Sequence, residues 1–122
     1  MKVQNVIDSA DRKMPGNSYS QEEKIKWLKA LELIWKNFLE GYGYKAEVSA
    51  ELTEESELSI GEPFDEVYVM WLVMKMHYYN GEIELYNNSA ASFENELLNA
   101  KQAFVRNNIS KNNHSFSGFK EV

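Results

Sequence analysis

Glu51, Glu54 and Glu57 stand at three-residue steps, and no other carboxylates in the chain look better placed for chemistry. On a helix, carboxylates three apart share a face and can hold magnesium against a nucleotide phosphate, the basis of metal-assisted pyrophosphate hydrolysis. The surrounding sequence does not supply the helix. Ala46, Val48, Ala50 and Leu52 alternate with Lys45, Glu47, Ser49 and Glu51, and Leu58 and Ile60 alternate again, so segment 44–60 has a period of two. Its glutamates read as a solvated acidic loop. His77 and His114 are the only histidines, and neither has a Glu-x-x-His or His-Glu-x-x-His spacing, so no di-iron or zinc ligand set is spelled out. His77 reads as an ordinary helix-surface residue. Gly41-x-Gly43 is a helix stop, because no lysine-led helix follows to cradle a phosphate. Without cysteine there is no thiolate nucleophile, disulfide or cysteine metal site, which fits a reducing cytoplasm. The expectation is no catalytic, cofactor-binding or metal-binding residue, and hence no enzyme.

Charge narrows the partners. The chain carries a formal charge of −6 with a pI near 5.0, and its Lys and Arg residues form no cluster that would track a phosphate backbone or an anionic membrane. Trp27, Trp35, Trp71, Tyr68, Tyr78, Tyr79 and Tyr86 therefore lack the basic groove that would make them stacking platforms for single-stranded nucleic acid. Most read as core or interface residues. Trp27 and Trp71 fall off the main apolar stripes, which assigns both to a subunit interface. The first ten residues contain Asp8 where a signal peptide needs an unbroken apolar stretch. The most apolar run, 67–76, contains Lys75 and is about half the length of a bilayer span, so it reads as a buried helix.

The elements that would position these side chains are four helices and one insertion, an all-α small four-helix bundle. Val3, Val6, Ile7, Ala10 and Met14 mark a first helix, with Asp8 and Arg12 paired one turn apart, ended by Pro15-Gly16-Asn17. Ser20 and Glu23 have capping-box spacing, which starts a second helix at Gln21; Gly41 ends it. Its stripe is Leu28, Leu31, Trp35, Phe38 and Tyr42, widened by Ile25, Ile34 and Leu39. Pro63 in a first turn, with Asp65 and Glu66 beside the positive end of the dipole, starts a third. The insertion at about 44–60 is extended or hairpin-like. A single domain spans 1–108, and 109–122 is an extended C-terminal tail in which Phe116 and Phe119, three apart among small residues, form a pair of anchors for a groove on another protein.

The fourth and longest helix carries a seam. Tyr79, Ile83, Tyr86, Ala90, Phe93, Leu97, Ala100 and Phe104 alternate in steps of four and three, in phase through Tyr79-Asn80-Gly81-Glu82 and Tyr86-Asn87-Asn88-Ser89, both poor helix formers. Such a seam faces something. Gly81, Asn87, Asn88, Ser89, Ala90 and Ala91 are small enough for a neighbour to approach or the helix to bend there, and Tyr86, Asn87, Asn88, Ala90 and Phe93 join the interface candidates.

The run from Tyr78-Tyr79-Asn80-Gly81-Glu82-Ile83 to Glu84-Leu85-Tyr86-Asn87-Asn88-Ser89, preceded by Pro63-Phe64-Asp65-Glu66-Val67-Tyr68, resembles the head-tail connector (adaptor) proteins of long-tailed bacteriophages. Ile7-Asp8, Ala10-Asp11, Pro15, Asn17 and Glu23-Lys24-Ile25-Lys26-Trp27-Leu28 are similar to the same group, so the likeness covers about 3–106 apart from 44–60. Leu85 and His77 depart from its pattern. The resemblance implies a structural virion protein that forms a dodecameric ring with copies of itself, between the portal protein and a stopper or tail-completion protein. Genomic DNA would pass through its lumen without specific binding. The protein would sit in the virion neck, after assembly in the host cytoplasm, and engage no membrane; the tail would meet the portal and the acidic insertion an adjacent subunit or the stopper. Two other readings stand beside it: a helical nucleotide pyrophosphohydrolase-like enzyme using the acidic loop, and a regulatory helical binding module.

Overall fold

The computed structural model describes residues 1–47 and 51–111. Four helices make up the fold: α1 (Val3–Lys13), α2 (Gln21–Gly41), α3 (Glu66–Asn80) and α4 (Ile83–Lys111), with no strand among the described residues. The bundle is all-α. Ile109–Lys111 continue α4, so the helix runs past the expected start of the tail; Phe116, Phe119 and His114 lie outside the described residues.

α3 is the central element, in contact with α1, α2 and α4. A helix surrounded on three sides has no room for a polar face, and Val67, Tyr68, Val69, Trp71, Leu72, Met74 and Met76 are all buried. Pro63 does not open it. The chain first turns, the Phe64 amide donating to Gly61 and the Val67 amide to Phe64, and the helix starts only at Glu66. α1 turns Val3, Val6, Ile7 and Ala10 into the core, as its spacing predicts. Its Asp8 accepts from Gln4 (2.8 Å) and its Arg12 donates to Ser9 (2.9 Å), in place of the expected Asp8–Arg12 pair. α2 begins where Ser20 Oγ accepts from the Glu23 amide (3.1 Å) and ends at Gly41.

The insertion is a strap rather than a hairpin. Among its described residues no two strands pair with each other; instead the carbonyls of Ser56 and Glu54 accept from the Val3 and Gln4 amides, each at 3.0 Å, and the Leu58 amide donates to Met1 (3.1 Å). A single antiparallel bridge joins Lys2 to Glu57. The first amides of a helix have no partner inside it, and here backbone carbonyls of the strap supply two. Leu58 and Ile60, both buried, pin the strap to the core. Val48, Ser49 and Ala50, part of the alternation that suggested a hairpin, lie outside the described residues.

Among the described residues two charged side chains are buried. Lys24 pairs with Asp11 (2.9 Å), which also accepts from Asn17 (3.0 Å), so the cation that α2 carries inward is neutralised by α1. Glu32 accepts from the amide (3.1 Å) and hydroxyl (2.6 Å) of Ser59 with one oxygen and from the Tyr68 hydroxyl with the other. The Ile60 amide donates to that same hydroxyl (2.8 Å), which closes a network linking α2, α3 and the strap.

Candidate interaction surface at the α3–α4 elbow

The acidic residues do not converge. Glu51, Glu54 and Glu57 are exposed in irregular backbone, and Glu55 pairs with Lys2 (3.0 Å). A further carboxylate pair, Glu62-x-x-Asp65, lies in the turn before α3, where three residues no longer correspond to one helical face. Among the described residues no group of three His, Cys, Asp or Glu side chains is placed to hold a metal ion.

What the fold does gather is aromatic surface, at the elbow where α3 gives way to α4. Gly81 adopts a left-handed conformation (φ 75°, ψ 18°), its amide donating to Tyr78 (3.1 Å) while the Glu82 amide donates to His77 (3.0 Å). Side chains other than glycine strain there, so the Asn-Gly pair breaks the helix instead of letting the seam run through it. α4 folds back along α3, and Phe93 meets Trp71 with ring centroids 5.0 Å apart. From Tyr86 onward the predicted seam holds: Phe93, Leu97 and Ala100 are buried, and Phe104 packs its ring against Trp35, Phe38 and Tyr44. Its first two members are different. Tyr79 is 56% exposed and Ile83 is 71% exposed, because the reversal at Gly81 puts them on the outside of the bend.

Exposed Tyr78 and Leu85 lie in the same stretch of chain as Tyr79 and Ile83, and half-buried Tyr86 lies against Tyr78 with ring centroids 5.4 Å apart. Tyr79 stacks flat on Trp27 (5.5 Å, 7°), with Tyr19 edge-on to the same indole (5.4 Å). The Tyr19 hydroxyl donates to Asn80 (2.5 Å). His77 is not a free surface residue: its Nδ1 lies 3.0 Å from Glu82, which also accepts from Asn80 (3.0 Å). Those two hydrogen bonds hold the Glu82 carboxyl below its usual range. The result is a hydrogen-bonded corner with exposed tyrosine rings and an exposed isoleucine. Large amphipathic rings that lose little conformational freedom on contact are suited to protein recognition.

The predicted interface residues separate into two groups. Trp27 and Trp71 are corrected to core positions of the monomer: each is 8% exposed, and the Trp71 indole N–H donates to the Trp27 carbonyl (2.6 Å). They sit off the single-helix stripes because they fill the α2–α3 crossing, which no one helix displays. Phe93 is likewise core. Tyr86 and Ala90 are half-buried, while Asn87 and Asn88 are exposed on a helix that passes through them unbroken, so of the small residues at which a bend is expected, Gly81 takes it and Asn87 to Ala91 do not. Tyr78, Tyr79, Ile83 and Leu85, the exposed apolar residues of the elbow, were missed as interface candidates. The signal was Asn80-Gly81, which marks a helix end. No helix among the described residues is long and apolar enough to cross a membrane. Compared with protein-family models, with curated proteins and with solved structures, the chain matches none of them.

Proposed function

We propose that this chain is a structural protein of the phage head-tail junction, a connector whose copies form a ring between the portal and the stopper or tail, with the α3–α4 elbow as its main contact surface. One coincidence carries the reading. The run that most resembles the connector family, residues 78–89, is also the stretch that turns Tyr78, Tyr79, Ile83 and Leu85 outward. A ring built from head-to-tail contacts needs apolar surface that the protomer's own core does not consume, and the elbow supplies it. The acidic balance suits a DNA conduit as well. Twelve copies at −6 each carry −72 formal charges, and an acidic lining repels the phosphate backbone and lets the genome slide.

The test is electron microscopy of the purified chain mixed with the portal protein encoded beside its own gene. A ring of this chain seated under the portal is expected. Flanking genes without a portal, or a portal that stays bare at saturating protein, would contradict the proposal.

A further inference from the structure

A second apolar feature lies far from the elbow. A groove of about 580 Å³ opens between the end of α2 and the C-terminal half of α4, lined by Phe38, Tyr42, Leu98, Lys101, Val105 and Arg106. Tyr42 is 43% exposed and Leu98 is 50% exposed, and Lys101 lies over the Phe38 ring at 5.4 Å. No other described segment lines this groove, although its walls are apolar enough to gain from cover.

The length of chain that follows α4 points to the occupant. Val105 and Leu98 precede Lys111 by six and thirteen residues, or about 9 and 20 Å along the helix. Phe116 and Phe119 follow it by five and eight residues, enough extended chain to span about 17 and 27 Å. A reversal near Asn112-Asn113, whose residue types favour turns, would bring both rings within reach of the groove, and Ser115, Ser117 and Gly118 beside them in the sequence are small. We propose that the groove is the docking site of this chain's own segment 115–119, with Phe116 and Phe119 as the two anchors in the free protein. Tethering decides for the chain's own segment over a second copy's. A short linker holds the segment at an effective concentration of order millimolar, so a two-ring contact too weak to join separate molecules at micromolar concentration is filled within one. The inference concerns the free chain and does not depend on the connector reading.

The absence of cysteine gives a clean background for the test. Gln102 lines the groove, whereas Asn107 is exposed five residues further along α4, turned away from the groove but closer to the root of the segment. In full-length protein under mild oxidation, Gln102→Cys with Ser117→Cys should close an intrachain disulfide faster than Asn107→Cys with Ser117→Cys. Equal rates, a slower 102–117 pair, or mainly interchain dimers would overturn the proposal. If the cysteine variants do not fold, hydrogen exchange compares the parent with the Phe116→Ser/Phe119→Ser double variant, whose changes follow the end of α4 in the sequence. Loss of protection across 98–106 in the double variant is expected, and identical protection would overturn the docking.

Discussion

The Tyr68 hydroxyl donates to Oε1 of Glu32, and with the Ile60 amide on the same hydroxyl it forms the point at which α2, α3 and the strap are fixed to one another. Burial, followed by the Glu32 carboxylate and its hydrogen bond, holds this hydroxyl far above the usual tyrosine range. Removing it strands two buried partners at once. Tyr68→Phe should therefore cost about 1–3 kcal/mol in urea unfolding, more than the loss of a solvent-exposed hydroxyl would cost.

The same pair sets a pH dependence. Tyr68 keeps its proton in the folded chain and loses it near pH 10 in the unfolded chain, so the unfolded state binds fewer protons above that pH. Its contribution is complete below about pH 10 and is lost as pH rises beyond it, at up to about 1.4 kcal/mol per pH unit. Melting temperatures from pH 8 to 11 should fall more steeply for the parent than for Tyr68→Phe. Parallel curves would contradict the assignment.

At the elbow the sign is reversed. Hydrogen bonds from His77 and Asn80 depress the Glu82 carboxyl, so its contribution is present above the unfolded carboxylate range and is lost as pH falls through the folded value. Glu82→Gln should melt below the parent at neutral pH, and the gap should close under acid conditions. Because the group is exposed, the gap should also be small.

Along α4, burial and not the small-residue motif decides sensitivity. Phe93→Ala, which empties the site against Trp71, should cost about 3–5 kcal/mol in chemical denaturation. Asn88→Leu, at an exposed position in the second turn of the helix, replaces a poor helix former with a good one and should leave stability unchanged or slightly raised. A large loss at Asn88 would mean that the asparagine is capping a turn after all.

Local signals were the legible ones. Ser20, Glu23 and Gly41 bounded α2 because capping and helix termination act within a few residues, and Val3, Val6, Ile7 and Ala10 marked α1 because one helix face is enough to show them. The phase of the long seam misled between Tyr79 and Ile83, since a left-handed Gly81 leaves the spacing intact while reversing the chain. Lys24 and Glu32 gave no sign of burial, because Asp11, Asn17, Ser59 and Tyr68, which make it tolerable, are distant in sequence or belong to other elements. The alternation of 44–60 leaves a hairpin and an extended arm both open for a related reason: the strap's backbone partners are the first residues of the chain, and alternation alone does not say which segment an extended run will join.

The decisive comparison is between the parent and the Tyr78→Ser/Ile83→Ser double variant in binding to the portal ring, followed by sedimentation. Both side chains are more than half exposed, so the variant should keep the parent's helicity and melting temperature. If the elbow is the assembly surface, the parent co-sediments with the portal and the variant loses most of that binding. A variant that folds and binds the portal as well as the parent would contradict the elbow's role.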